Sequence, residues 1–248
     1  MSKNGRVGLS LVLKFTLLLL CFGFILSSLV FGEESAGQVS EQALLVRYAN
    51  ATVAQQSTMR GATMEVDIDA SVPKLNKNGK LHALRNISNL GKITYHMLGF
   101  NGDGAIKKEV IARYLAADAQ AQEGPNLSIT PDNYKFKYKG LKDDDGTSVY
   151  VFQLSPRKKQ VGLFKGDLWL DPKTAMPVRE SGRFVKTPSI FLKKMEFVRT
   201  YELQNGVSIP QRVESLVDTR LFGRVQMNIH FTHFCKDPSP EQSVASTF

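Results

Sequence analysis

The feature that most constrains the fold is an alternation of apolar and polar residues that recurs through residues 135–234. It is clearest in residues 194–203, where one parity holds Lys194, Glu196, Thr200 and Glu202. The other parity holds Met195, Phe197, Tyr201 and Leu203, and Arg199 interrupts this apolar row. A repeat of two residues places one parity on each side of an extended chain, so the segment predicts a β-strand with one face in solvent.

Turn-forming sequences separate such strands at short intervals. Asn205-Gly206 supplies the positive φ angles of a tight turn and predicts a hairpin in which residues 195–203 pair with residues 207–217. Short connections favour antiparallel pairing of neighbours, which predicts one continuous sheet. The other strands are expected at residues 60–75, 80–100 (one or two strands), 135–139, 148–154, 161–171, 177–186 and 224–234.

Two amphipathic helices are predicted among the strands. The first covers residues 40–56, with Ser40 as its cap. Its buried stripe is expected to be Leu44, Leu45, Tyr48, Ala51 and Thr52. The second follows Asn101-Gly102-Asp103-Gly104, ends at Glu123-Gly124-Pro125, and has the stripe Ile106, Val110, Ile111, Tyr114 and Leu115. The fold class is therefore mainly β (α+β), in the order helix, strands, helix, strands.

A sheet of this many strands twists and curls, and its concave apolar face must be covered. The two helices are the available covers. Tight packing of the helices gives an ordinary core, whereas a removable second helix, with irregular joints at both ends, would act as a lid over a cavity for acyl chains; the pattern allows both. The side chains expected to face this cavity are Met64, Val66, Ile68, Met195, Phe197, Met227, Ile229 and Phe231.

The N-terminal segment predicts export. Basic residues precede an uncharged apolar run at residues 15–31, and small Gly32 is followed by two glutamates, so residues 1–32 are expected to be a signal peptide. An uncleaved anchor through residues 15–31 is the alternative. One domain, residues 33–234, and a disordered tail, residues 235–248, are expected to follow. The net charge of +9 is expected first of all to favour solubility, and with export it favours an anionic membrane surface over nucleic acid as a partner.

No catalytic, cofactor or metal site is predicted. His230 and His233 are three apart in a strand and are expected on opposite faces, which disfavours a shared metal. Asp143-Asp144-Asp145-Gly146 is expected to be a turn. The row Glu65, Asp67 and Asp69 is expected to be a solvated face, and Arg157-Lys158-Lys159 is either a contact for anionic membrane lipid or a solvated turn.

Residues 164–183, Phe-Lys-Gly-Asp-Leu-Trp-Leu-Asp-Pro-Lys-Thr-Ala-Met-Pro-Val-Arg-Glu-Ser-Gly-Arg, resemble the hairpin G-x-L-W-L-D-x-x-T-x-x-P-V-R of the bacterial outer-membrane lipoprotein-sorting group, the LolA/LolB-like proteins. The resemblance extends, in order of elements, over most of the chain after the N-terminal segment. Leu168 and Leu170 of this hairpin are further candidates for the cavity wall, and with Trp169 they fit a core or a sheet edge equally well.

The resemblance implies a half-open antiparallel β-barrel with an N-terminal helix and an inserted lid helix. It also implies a non-enzymatic carrier, here expected to be a monomer without a cofactor, that binds lipid or lipoprotein acyl chains in the periplasm. The alternative is a structural or sensory envelope protein with the same fold and a filled core.

Overall fold

The computed structural model describes residues 40–120, 126–144 and 146–236. The predicted signal or anchor segment, the predicted helix end at Glu123-Gly124-Pro125, and residues 237–248 of the predicted tail lie outside the described residues. Residues 235 and 236 belong to the last strand. No helix in the described part of the chain is long and apolar enough to cross a membrane.

The described residues form two long helices, one short 3-10 helix at Pro73–Leu75, and ten strands. Helix α1 is Glu41–Met59. Helix α2 covers residues 104–120 as an α-helical start, Gly104–Ile106, a π-helical turn, Lys107–Ile111, and an α-helical end, Ala112–Gln120. The strands are β1 Ala62–Val72, β2 Lys77–Ile87, β3 Ile93–Gly102, β4 Tyr134–Asp144, β5 Thr147–Pro156, β6 Phe164–Leu170, β7 Pro177–Phe184, β8 Leu192–Gln204, β9 Val207–Thr219 and β10 Arg224–Lys236.

All ten strands belong to one antiparallel sheet in the order β3-β2-β1-β10-β9-β8-β7-β6-β5-β4. The predicted fold class and the predicted single sheet are confirmed. Strands β8 and β9 pair as expected, with Met195 opposite Val217 and Leu203 opposite Ser208. The turn between them has φ angles of 51° at Asn205 and 79° at Gly206, which is the primed geometry that the Asn-Gly pair predicts.

The sheet is open, and its two edges are β3 and β4. Strands β1, β2 and β3 follow one another to one edge of the sheet. Strand β4 forms the other edge, and β5 to β10 follow it inward until β10 pairs with β1. Register shifts in five of the strand pairs curve the sheet. Helix α2 stands in the chain between the two edge strands, so this insertion connects one rim of the curved sheet to the other.

Helix α1 covers the half of the sheet nearest β4. The Ser40 hydroxyl accepts a hydrogen bond from the Ala43 amide at 3.2 Å, as a cap does. Leu44 and Tyr48 are buried, and the Tyr48 ring packs 6.5 Å from the ring of Phe136 on β4. Gln55 holds the other end of the helix, because its side chain both donates to and accepts from the Ser208 backbone.

Helix α2 covers β1, β2 and β10. Its entry has a glycine for a steric reason, because Gly102 has φ +121° and a Cβ at that position would lie 2.6 Å from the Asn78 carbonyl oxygen. Asp103 then caps the helix by accepting from the Ala105 amide at 2.7 Å. Ile106 and Ile111 are buried in one core cluster with the strands, so α2 is held mainly by apolar packing.

Candidate functional site

The predicted cavity residues on β1 and β10 lie on the concave face under α2. Met64, Val66, Ile68 and Ile229 are at most 1% exposed. Met227 and the α2 residues Ile106 and Ile111 join the same buried cluster, and Val110, Tyr114, Leu115 and Phe231 pack against it half-buried. The concave wall and α2 therefore form one closed apolar contact.

Leu168 and Leu170 lie in a different part of the core, under α1. Both are completely buried, and Leu168 is paired across the strands with Phe152. Phe152 contacts Phe136, the ring that meets Tyr48 of α1. Trp169 has the opposite parity and lies half-buried on the outer face, with the Arg179 guanidinium 5.1 Å from its ring centre.

Polar residues cross the concave face along β7 and β8. Glu180 and Arg199 are directly opposite each other in the two strands. Arg199 donates to one carboxylate oxygen of Glu180 at 3.1 Å, and the Tyr201 hydroxyl donates to the other at 2.9 Å. The Glu180 side chain is 8% exposed and that of Arg199 is 41% exposed, so the carboxylate is buried under a guanidinium that still reaches solvent. Tyr201 and Glu180 raise the pKa of Arg199.

A second polar cluster ties α2 to the sheet. Asp118, near the end of α2, accepts from the Tyr95 hydroxyl at 2.6 Å and from Arg85 at 3.2 Å. Arg85 lies on the concave face of β2, where its side chain is 11% exposed, and its Nη1 is 3.9 Å from the Met64 sulfur. Burial, and then the nearby Asp118 carboxylate, raise the pKa of Tyr95.

Tyr114 of α2 lies between the two clusters. Burial and then Asp118 raise its pKa to about 12, while Arg199 and Arg85 act in the opposite direction. Burial also raises the pKa of Tyr134, on β4, to about 12, and the Glu180 carboxylate makes a smaller contribution in the same direction. Tyrosines and two ion pairs therefore form a polar seam, Arg85, Tyr95, Tyr114, Asp118, Glu180, Arg199 and Tyr201, between the apolar regions under α2 and α1.

We expect the free energy of unfolding to fall at alkaline pH, because buried tyrosines must ionise there. The neutral forms of Tyr114 and Tyr134 are favoured in the folded protein, because their pKa lies near 12 against about 10 in an unfolded chain. Their contribution to stability is complete below pH 10 and is lost as pH rises from about 10 to about 12. Urea unfolding at a series of pH values measures this loss, and Tyr114→Phe should reduce it. Ionisation of every tyrosine near pH 10, followed at 295 nm in the native protein, would contradict the expectation.

The opposite, outer face is polar where β1, β2 and β10 cross it. The predicted solvated row on β1 forms ion pairs there, between Asp69 and Lys80 at 2.9 Å and between Asp67 and His82 at 2.9 Å. A groove of about 630 Å³ runs over this face from Phe100 to Arg212. Within the described residues, no three His, Cys, Asp or Glu side chains are grouped so as to hold a metal ion.

The prediction that His230 and His233 point to opposite faces is wrong. A register shift interrupts the β1–β10 pairing next to Glu65, and His233 adopts a positive φ of 52°. Its Nδ1 then lies 3.1 Å from the Glu65 carboxylate on the outer face, the face to which His230, paired with Asp67, also belongs. An inserted residue changes the parity that a regular strand would keep.

Most residues predicted from the sequence to line a cavity are buried in the apolar regions described above, whereas most of the polar seam was not predicted. Arg199 was visible as the break in an apolar row, and Arg85 interrupts the row Leu81, Ala83, Ile87 in the same way. A charged residue at an apolar parity is therefore the signal that was available. Their partners, Glu180 and Asp118, lie 19 and 33 residues away in sequence, where no local pattern points to them.

The comparisons with known proteins concern the fold. No protein-family model matches the chain, and no curated protein matches it. A LolA superfamily protein from Nitrosomonas europaea is 12% identical, with a TM-score of 0.41, and the match covers 83% of this chain and 97% of that one. A DUF1329 family protein from Desulfovibrio piger is 13% identical, with a TM-score of 0.45 and coverages of 82% and 96%.

A domain assigned to outer membrane lipoprotein sorting, from Vibrio parahaemolyticus, is 10% identical, with a TM-score of 0.41 and coverages of 81% and 95%.

Proposed function

We propose that the protein is an exported, non-enzymatic carrier of the bacterial cell envelope, similar to proteins of outer-membrane lipoprotein sorting. It would hold the acyl chains of a lipid or lipoprotein between the concave face of the sheet and α2. The observation that carries the proposal is the way α2 is attached. The helix packs an apolar stripe on the concave wall and enters through Gly102 and Asp103, where Asp103 pairs with Lys77 at 3.0 Å. Near its other end it is tied to β2 and β3 by the polar cluster at Asp118.

An acyl chain can replace the α2 stripe at little net cost, because one apolar contact is exchanged for another. The wall that would accept it contains Met64 and Met227, with Met59 packed at its border. Methionine side chains are unbranched and adapt to varied apolar shapes. The buried Phe197, Leu168 and Leu170 and the half-buried Met195 are proposed as a second part of the cavity wall, on the other side of the polar seam, reached when both helices yield.

Asp118→Asn is expected to make cargo uptake faster, because it removes the charge that holds Arg85 and Tyr95 against α2. A charge-assisted contact of this kind is worth about 1.5 kcal/mol, which corresponds to roughly a tenfold change in the open population. Stopped-flow uptake of a fluorescent fatty acid measures the rate. The matched control is Glu109→Gln, which removes the exposed pair with Arg113 on the same helix and should leave the rate unchanged.

Uptake that is equally fast in Asp118→Asn and in the unmodified protein would exclude α2 as a lid. Native mass spectrometry of gently purified protein, followed by lipid extraction, tests the carrier itself. A bound species that yields acyl lipid supports the proposal. Protein that carries no lipid and takes up no fatty acid would contradict it.

The second candidate is a structural or sensory envelope protein with a filled core. The observation that favours it is the closed contact under α2, where Ile106 and Ile111 are 3% and 0% exposed. Fatty-acid uptake separates the two candidates, since a filled core takes up none.

Export itself is part of the proposal, with residues 1–32 removed as a signal peptide or residues 15–31 kept as an anchor, and residues 33–234 as the working domain. The mass of the chain recovered from the periplasm distinguishes cleavage from anchoring. Recovery of the intact chain from the cytoplasm would contradict export.

A further inference from the structure

One end of the sheet presents large apolar side chains to solvent. The strand-to-strand connections at this end are residues 73–76, 157–163, 185–191 and 220–223. In two of them, Ile190 is 79% exposed, Phe191 54%, Leu221 60% and Phe222 52%. These four side chains are called the apolar tip.

The two connections that carry the apolar tip hold each other in place. The Arg220 backbone amide donates to the Phe191 carbonyl at 2.8 Å, and the Arg220 Nε donates to the Ile190 carbonyl at 2.7 Å. The Phe222 amide donates to the Thr219 hydroxyl at 3.0 Å. The apolar tip is therefore presented by hydrogen-bonded turns, so ordering it against a partner costs little entropy.

The same four connections are basic. They contain six Lys and Arg residues and no Asp or Glu: Lys74, Arg157, Lys158, Lys159, Lys186 and Arg220. All six are exposed, and none forms an ion pair with another described residue. These residues are called the basic rim, and they include the basic cluster at residues 157–159.

The four connections also adjoin one another. The Val185 amide donates to the Leu163 carbonyl at 3.0 Å, and the Lys74 side chain lies against Gly223, 3.1 Å from where a Cβ would stand. At the opposite end of the sheet, the described connections carry Lys92 and Lys173 but also Asp171. The four connections at the tip end thus carry basic charge without acidic charge, and of the acidic residues that adjoin them Asp103 is paired with Lys77 and Asp132 follows Pro131, whose carbonyl accepts from Arg157.

We propose that this end of the sheet docks on a bilayer rich in anionic phospholipid, with the apolar tip inserted at the level of the head groups and the basic rim against their phosphates. Exposed apolar side chains surrounded by Lys and Arg have the composition of an interfacial membrane contact. The charge complementarity selects an anionic lipid surface over a neutral one. The surface is independent of the proposed cargo site, because it lies on the connections and not on the concave face.

The test places a fluorescent reporter in the apolar tip. In the full chain, Trp169→Phe removes the one native tryptophan and Phe191→Trp adds one at the tip. With vesicles of phosphatidylglycerol and phosphatidylcholine, the emission should shift to the blue and be quenched by brominated acyl chains. The control is Leu90→Trp in the same Trp169→Phe background, since Leu90 is 92% exposed at the opposite end of the sheet. Its emission should stay that of tryptophan in water, even if the apolar run at residues 15–31 binds the vesicles.

The basic rim is tested with Lys158→Gln, Lys159→Gln and Lys186→Gln combined. For this variant, the concentration of anionic lipid that gives half of the emission shift should rise at least about tenfold. Vesicles of pure phosphatidylcholine should give little shift with the unmodified rim. Lys92→Gln should have no effect. A tip tryptophan whose emission stays that of tryptophan in water when anionic vesicles are added overturns the proposal. A blue shift that appears without vesicles and grows with protein concentration also overturns it, because the tip would then contact a second copy of the chain. Fatty-acid uptake in solution should be unchanged in the rim variant, so failure here is distinguishable from failure of the carrier proposal.

Discussion

Gly166→Ala is expected to lower the free energy of unfolding by at least about 3 kcal/mol, the upper end for an overpacked interior. Gly166 on β6 lies directly opposite Gly182 on β7. A Cβ at Gly166 would stand 1.9 Å from the Ser181 carbonyl oxygen and 2.6 Å from the Gly182 Cα. Both obstacles are backbone atoms, so no side chain can rotate away and the two strands would have to separate.

Urea unfolding followed by the fluorescence of Trp169, on the same strand, measures the effect. Gly99→Ala is the matched control, because Gly99 is also a strand glycine and a Cβ there meets nothing within 4 Å. It should be neutral or slightly stabilising, since alanine restricts the unfolded chain more than glycine. Equal stability of the two variants would refute the explanation. Gly166 is the first residue of the pattern G-x-L-W-L-D-x-x-T-x-x-P-V-R, so this close approach is a physical reason for glycine at that position.

Arg199→Met is expected to lower the free energy of unfolding by about 3 kcal/mol, the lower end for breaking a buried ion pair. The lower end applies because the Glu180 side chain is 8% exposed but that of Arg199 is 41% exposed. The substitution leaves the Glu180 carboxylate in the interior with the Tyr201 hydroxyl at 2.9 Å and without a cation. The loss should appear in urea unfolding monitored by circular dichroism.

The double variant Arg199→Met with Glu180→Met should recover most of the lost stability, since it removes both the buried charge and its partner. Arg113→Met is the control on an exposed pair with Glu109 and should change stability by less than about 0.5 kcal/mol. If Arg199→Met costs no more than Arg113→Met, the seam does not hold β7 and β8 together.

Local patterns predicted the elements well because their physical causes are local. The parity of Met195, Phe197 and Tyr201 and the turn at Asn205-Gly206 located β8, β9 and their register within a few residues. The Ser40 cap located the start of α1, although the helix extends to Met59, beyond the predicted end. The His233 interpretation failed because a bulge is a tertiary adjustment that a strand sequence does not announce.

The spacing of apolar residues and turn formers along the chain specifies the apolar side of each strand and the position of each turn, and these predict one antiparallel sheet with two covering helices. The tertiary structure alone establishes that β10 pairs with β1, because the paired residues lie 155 to 174 positions apart in the chain and no local pattern links them. It also decided that Arg199 meets Glu180, that Arg85 meets Asp118, and that two distant turns place Phe191 beside Leu221 on a basic rim. Alternation and turn propensity act over a few neighbouring residues. Ion pairs and shared surfaces instead depend on which distant strands and turns the whole sheet places next to each other.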